Sequence, residues 1–302
     1  MNTEHARLLL QNLVERAKAS DEKTFITKIE VNALVVLLGH SADGDSLQPG
    51  SISPEDQASH TKSVVQKKPI IISTQLESLE PEAGFLLCID FGTSFSKAFA
   101  SKDTGAELPE LFDLPLGVNS QGQSELVTPS EMFIDDNNIY FGNVARNQFN
   151  DSQAPTGRLI DAMKQYMTLG SNVLNLSKMK LEAIQDPSQK FSKRDILLLY
   201  LGHLMSLTET VLDAKGLPKN IRRRFAHPAW QDDHRKDNEN EMRLMMAQAI
   251  VLARSLGPDL NEQVDIGVAR QALDEIKLID GSALPTKLID DAVREATAAG
   301  AG

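Results

Sequence analysis

Asp90-Phe91-Gly92-Thr93-Ser94-Phe95-Ser96 is the stretch of the chain best equipped to do chemistry. An acidic residue closes an apolar run, and a glycine followed by two hydroxyl residues turns the chain. Gly92 lets the backbone approach a ligand closely, and successive amide N–H groups in such a turn can converge on an anion. Asp90, at the mouth of the turn, could hold a hydrated magnesium ion, which keeps its waters and uses one or two carboxylates plus phosphate oxygens. These residues suit a phosphate cradle; they equally suit a plain β-hairpin with a glycine turn. The chain has no GxxxxGK[ST] and no GxGxxG after a strand, so neither the P-loop nor the dinucleotide fingerprint is present.

The elements around this turn follow from pattern. Phe85–Phe91 (FLLCIDF) is a nearly continuous apolar run, as expected of a strand buried on both faces. Phe95–Ala100 alternates and reads as its return strand. Glu131–Asp135 and Ile139–Phe141 flank Asp136-Asn137-Asn138, a second hairpin. Arg158–Met167 reads as a short amphipathic helix. Ser192 with Asp195 forms a capping box, and Phe191 with Ile196 a hydrophobic staple, opening a long helix that stops at Gly216 and Pro218. Arg222–His227 (RRRFAH) reads as a strand stopped by Pro228, and a strand after a long helix suggests a βαβ crossover. Its arginine cluster, Arg222–Arg224, suits an edge strand whose charge blocks aggregation. Glu239–Leu256 and Leu284–Val293 read as helices, and residues 258–283 carry no clear pattern.

The first part of the chain differs. Residues 1–39 read as a helical hairpin: Leu9, Leu10, Leu13, Val14 and Ala17 form one apolar stripe, and Thr27, Glu30 and Gly39 punctuate a second helix. Two short helices bury little alone, so this extension packs on itself or the main body, or docks a partner. Residues 40–68, rich in Ser, Asp, Gly, Gln and Pro, read as a flexible linker. The main body starts near Pro69.

Composition narrows the function class. Among 302 residues, 31 Lys and Arg against 42 Asp and Glu give a net charge of -11, which argues against a nucleic-acid groove. The single cysteine, Cys88, allows no intramolecular disulfide, and the six histidines show no zinc spacing. No apolar run of ~18 residues suggests a membrane span, and the first residues show no secretory pattern. A cytoplasmic protein without membrane or nucleic-acid partners is expected.

The motifs, taken in order, resemble the actin and heat-shock 70 kDa chaperone ATPase superfamily. IDFGTSFSKAFAS resembles its first phosphate motif. Thr128-Pro129-Ser130-Glu131-Met132-Phe133, followed by Phe141-Gly142-Asn143-Val144-Ala145, resembles the chaperone family's T-P-S-x-x-x-F … x-G-x-x-A hairpin. Ala162–Met167 resembles its A-I-K-R-L-I helix, Arg224–Trp230 its I-T-V-P-A-Y-F strand end, and Glu295–Ala299 its E-P-T-A-A segment. The likeness runs from about Gly84 to Ala299, the first of that family's two lobes.

The resemblance implies a fold: an α/β, ribonuclease-H-like lobe with a mixed sheet over residues 69–302, preceded by the helical extension. It also implies roles. Asp90 organises the shell of Mg2+ through water. Gly92, Thr93, Ser94 and Phe95 bind the phosphates of ATP or ADP. Lys164 reaches the γ-phosphate and the attacking water, and Glu295 supplies a second carboxylate. Pro228, with Arg235, is the switch that reports nucleotide state. Such positioning and charge neutralisation provide most of the catalysis in phosphoryl transfer. On the residues alone, Lys164 also suits a solvated helix position, Pro228 a simple strand end, and Glu295 a helical position.

The resemblance further implies ATP hydrolysis in a two-lobed chaperone with client proteins or co-chaperones. Within the 302 residues there is no D-x-G-G-G-T loop and no adenosine-binding Gly-Gly turn, so the second lobe is expected to be absent, the chain being either the front part of a longer protein or one that has lost half the active site. This chain alone is expected to be inactive. The alternative is a nonhydrolysing interaction module with a degenerate pocket and residues 1–39 as its working surface.

Overall fold

A computed structural model gives the structure; it describes residues 79–294, apart from 120, 169–171, 229, 231 and 291–292. The described residues all fall within Val65–Gly302, the second of the chain's two units. The expected extension (1–39), the linker (40–68) and Glu295 lie outside the described residues.

The protein is mixed α/β. Eleven strands are described: β1 Phe85–Phe91, β2 Phe95–Lys102, β3 Glu110–Leu114, β4 Gly117–Val118, β5 Ser124–Glu125, β6 Val127–Pro129, β7 Met132–Ile134, β8 Asn138–Phe141, β9 Arg222–His227, β10 Gln263–Asp265 and β11 Val293–Arg294. The helices are α1 Gly142–Asp151, α2 Gln165–Thr168, α3 Lys193–Ala214, α4 Asp232–Leu256 and α5 Ile266–Lys277. The main sheet runs β11-β9-β1-β2-β3, with β6 also pairing with β2. β1, β2 and β3 are antiparallel neighbours, whereas β9 and β11 run parallel to β1.

Sequence explains much of this. Along β2, Ser96, Ala98 and Ala100 are buried while Phe95, Lys97 and Phe99 are exposed, the period-2 alternation of a sheet with one covered face. Leu87, Ile89 and Phe91 of β1 point the same way into the core; Leu86, Cys88 and Asp90 are only half-buried, so β1 is fully buried on one face rather than two. Helix α3 covers the buried face, with Tyr200 against Phe91 at a ring separation of 5.4 Å. It starts where its capping box dictates: Ser192 accepts from the Asp195 N–H and Asp195 accepts from the Ser192 N–H. It is long and apolar enough to cross a membrane, yet most of it is buried inside the fold.

Three sequence expectations are corrected. Residues 158–164 are not helical; Ile160 instead bridges Met132 antiparallel, Ala162 takes a left-handed φ of 50°, and only Gln165–Thr168 coil. Arg222–Arg224 are not on an edge, because β9 lies between β1 and β11. The fully buried Arg223 is instead neutralised by Glu209 at 2.6 Å, and Arg224 by Asp290 at 2.6 Å. Leu284–Val293 is not a helix: a short 3-10 turn at Thr286–Leu288 leads into a parallel bridge from Ile289 to Arg223, and then into β11. The unreadable stretch contains β10, paired with β8, and α5, capped by the Asp265 carboxylate on the Val268 N–H.

Candidate functional site

Parallel pairing decides where the candidate residues meet. β1 and β9 are in register from Leu86–Arg222 to Ile89–Phe225, so Asp90 and Pro228 lie at the same, C-terminal, end of the sheet. Arg294 of β11 pairs with His227, so the third parallel strand also finishes there. The carboxyl ends of neighbouring parallel strands are where α/β sheets gather ligands.

The turn after β1 is built around close backbone approach. A Cβ on Gly92 would fall 2.1 Å from the Phe95 carbonyl oxygen, so no side chain fits there. Below the turn, the Ser130 hydroxyl donates to the Gly92 carbonyl at 2.8 Å, and the Ser130 N–H donates to the Ser94 carbonyl at 2.9 Å. No hydrogen bond within the described residues uses the Thr93 or Ser94 N–H, and both residues are exposed.

Two lysines feel the Asp90 charge. Lys97, directly across the β1–β2 ladder, pairs with it at 3.5 Å, and both side chains are about half exposed. Lys164 is buried, at 6% exposure. Burial pushes its ammonium below the ordinary lysine range, and the Asp90 charge pulls it partly back. The structure therefore brings Lys164 into the field of Asp90 at the turn. Arg235 lies near the start of α4 and pairs with Glu239 at 3.3 Å.

Magnesium and nucleotide can be tested against this donor set. Among the described residues no group of three or more His, Cys, Asp or Glu could chelate a metal directly. A lone carboxylate beside amide donors and a buried lysine fits the water-mediated mode, in which phosphate oxygens complete the shell. Glycine and open N–H groups are the donor chemistry of an anion nest.

Sequence reasoning missed Lys97 beside Asp90 and the Ser130 hydroxyl beneath the turn. Both are recruited by pairing between segments distant in the chain. Neither any protein-family model nor any curated protein matches the chain.

Proposed function

We propose that the described unit is a ribonuclease-H-like first lobe of an actin-like, heat-shock-70-like nucleotide-binding fold, and that its turn at Gly92–Phe95 binds the phosphates of ATP or ADP with magnesium. The observation that carries this reading is that Asp90 lies at the sheet end shared with Pro228, next to the Gly92 turn, and that its charge acts on the buried Lys164. Further support comes from β11, directly before Glu295, since the family that the chain resembles carries a strand just before the matching glutamate.

In this reading Gly92 and the Thr93 and Ser94 N–H groups would hold phosphate oxygens, and Asp90 would hold magnesium through water. The bound metal would neutralise phosphate charge. Lys164 offers its ammonium to the terminal phosphate, whose negative charge would offset the desolvation that pushes the lysine pKa down. Glu295 and the Pro228–Arg235 switch retain the roles the resemblance implies. Hydrolysis belongs to a two-lobed assembly, because positioning from one side leaves the leaving group and adenine unsupported.

Titration of the 15N-labelled chain with Mg-ATP tests the reading. The Thr93 and Ser94 amides should move first and saturate near a Kd of about 1 mM, roughly -4 kcal/mol. Unmoved Thr93 and Ser94 amides overturn it.

A further inference from the structure

Ser130 touches both ends of the turn. Its hydroxyl meets the Gly92 carbonyl at 2.8 Å and the Ser96 hydroxyl at 2.9 Å, while its N–H meets the Ser94 carbonyl at 2.9 Å. Tyr200 meets the Pro129 carbonyl at 2.9 Å and the Ser96 hydroxyl at 3.3 Å. Ser96, Ser130 and Tyr200 are all fully buried, so none of these groups has solvent as an alternative partner.

Counting protons orients the network. Three hydroxyls carry three protons, and a carbonyl can only accept. The Ser130 proton goes to Gly92 and the Tyr200 proton to Pro129. The remaining proton, on Ser96, goes to Ser130, the nearer of its two hydroxyl neighbours. A directed chain therefore runs from Ser96 through Ser130 to the Gly92 carbonyl, and Tyr200 fixes the peptide that carries Ser130.

The Gly92 carbonyl shares a planar trans peptide with the Thr93 N–H, and in such a plane the two point opposite ways. Holding the carbonyl down on Ser130 turns the Thr93 N–H away from the core, toward the exposed side of the turn. Donation to the carbonyl also polarises the same peptide and makes its N–H a better donor.

We infer that Ser130 is the positioning residue of the phosphate turn: it aims and strengthens the Thr93 N–H for an anionic phosphate oxygen. This inference rests on the nucleotide reading above.

Ser130→Ala and Ser96→Ala test it. Each deletes one fully buried hydroxyl, so both should lower the melting temperature to a similar extent. Their effects on the turn should differ, since Ser130 keeps its own proton for Gly92 when Ser96 is gone. Ser130→Ala should weaken Mg-ATP binding about fivefold, the worth of one hydrogen bond. In the ligand-free chain it should also shift the Thr93 amide nitrogen and lower the Gly92–Ser94 order parameters below about 0.6. Ser96→Ala should leave Mg-ATP binding within about twofold of the parent. Equal losses of binding in both variants, or an unchanged Thr93 amide in ligand-free Ser130→Ala, overturn the positioning role and leave the nucleotide reading standing. A parent chain whose Thr93 and Ser94 amides ignore Mg-ATP rejects the nucleotide reading, and the positioning role with it.

Discussion

The carboxylate of Asp90 raises the proton affinity of the buried Lys164 ammonium, opposing the larger downward push of desolvation. One residue is next to last in β1 and the other precedes a single helical turn, far apart in the chain. Removing the charge at Asp90 should take that opposition away. In Asp90→Asn, Lys164 is therefore expected to titrate at lower pH than in the parent, read from its side-chain carbon shift by NMR. An unchanged titration would show that Asp90 does not act on Lys164.

His203 gives a second pH dependence. Its ring stacks on Phe141 at 4.9 Å, its Nδ1 bonds to the Leu260 carbonyl at 2.7 Å, and its Nε2 is buried without a partner. Burial pushes its pKa down to about 4. The unfolded chain, titrating near 6.5, then binds more protons than the folded one between these values. Stability should be complete above pH 6.5 and fall by about 3 kcal/mol as pH drops toward 4. Denaturant unfolding across that range checks this, and His203→Phe should flatten the slope.

Glu209 carries two arginines. Arg223 reaches it at 2.6 Å and Arg254 at 2.9 Å, and burial pushes the Arg223 pKa down to about 10. Glu209→Ala strands the buried guanidinium and should cost about 3–5 kcal/mol in urea unfolding. The double variant Glu209→Met, Arg223→Met should recover much of that loss, because the fully buried guanidinium goes with its carboxylate and the partly exposed Arg254 keeps its bonds to Lys219 and Asn220. A double variant no better than the single would contradict the role assigned to Glu209.

Gly92→Ala should open the turn, since its Cβ would overlap the Phe95 carbonyl. A loss of about 1–3 kcal/mol is expected, together with loss of the Mg-ATP response at Thr93. Wild-type stability in thermal unfolding would show that the turn relaxes without cost.

Local rules read well in this chain. The Ser192–Asp195 box places the start of α3, the Gly92 turn places the β1–β2 hairpin, and Pro228 ends β9. Failures came where distant segments decide. Ile160 has helical neighbours in sequence, but its partner is Met132, and backbone pairing there outweighs local amphipathicity. Arg223 has the chemistry of an edge residue until Ile289 bridges it and Glu209 arrives from α3. In the candidate site, the Asp90–Gly92 turn was legible as a turn because its spacing is local. Ser130 and Tyr200 were not, because hydrogen bonds across the fold give them their role.

Thermal melts with and without Mg-ATP, for the parent and for Asp90→Ala, test the central claim most directly. A one-lobed site with a Kd near 1 mM gains about 1 kcal/mol from 5 mM Mg-ATP, through RT ln(1 + [L]/Kd). For a unit of this size that is a rise of roughly 2–4 °C, and it should vanish in Asp90→Ala. No rise in the parent, or an equal rise in Asp90→Ala, would contradict a phosphate site at the end of β1. A much larger rise abolished by Asp90→Ala would contradict the single-lobe reading.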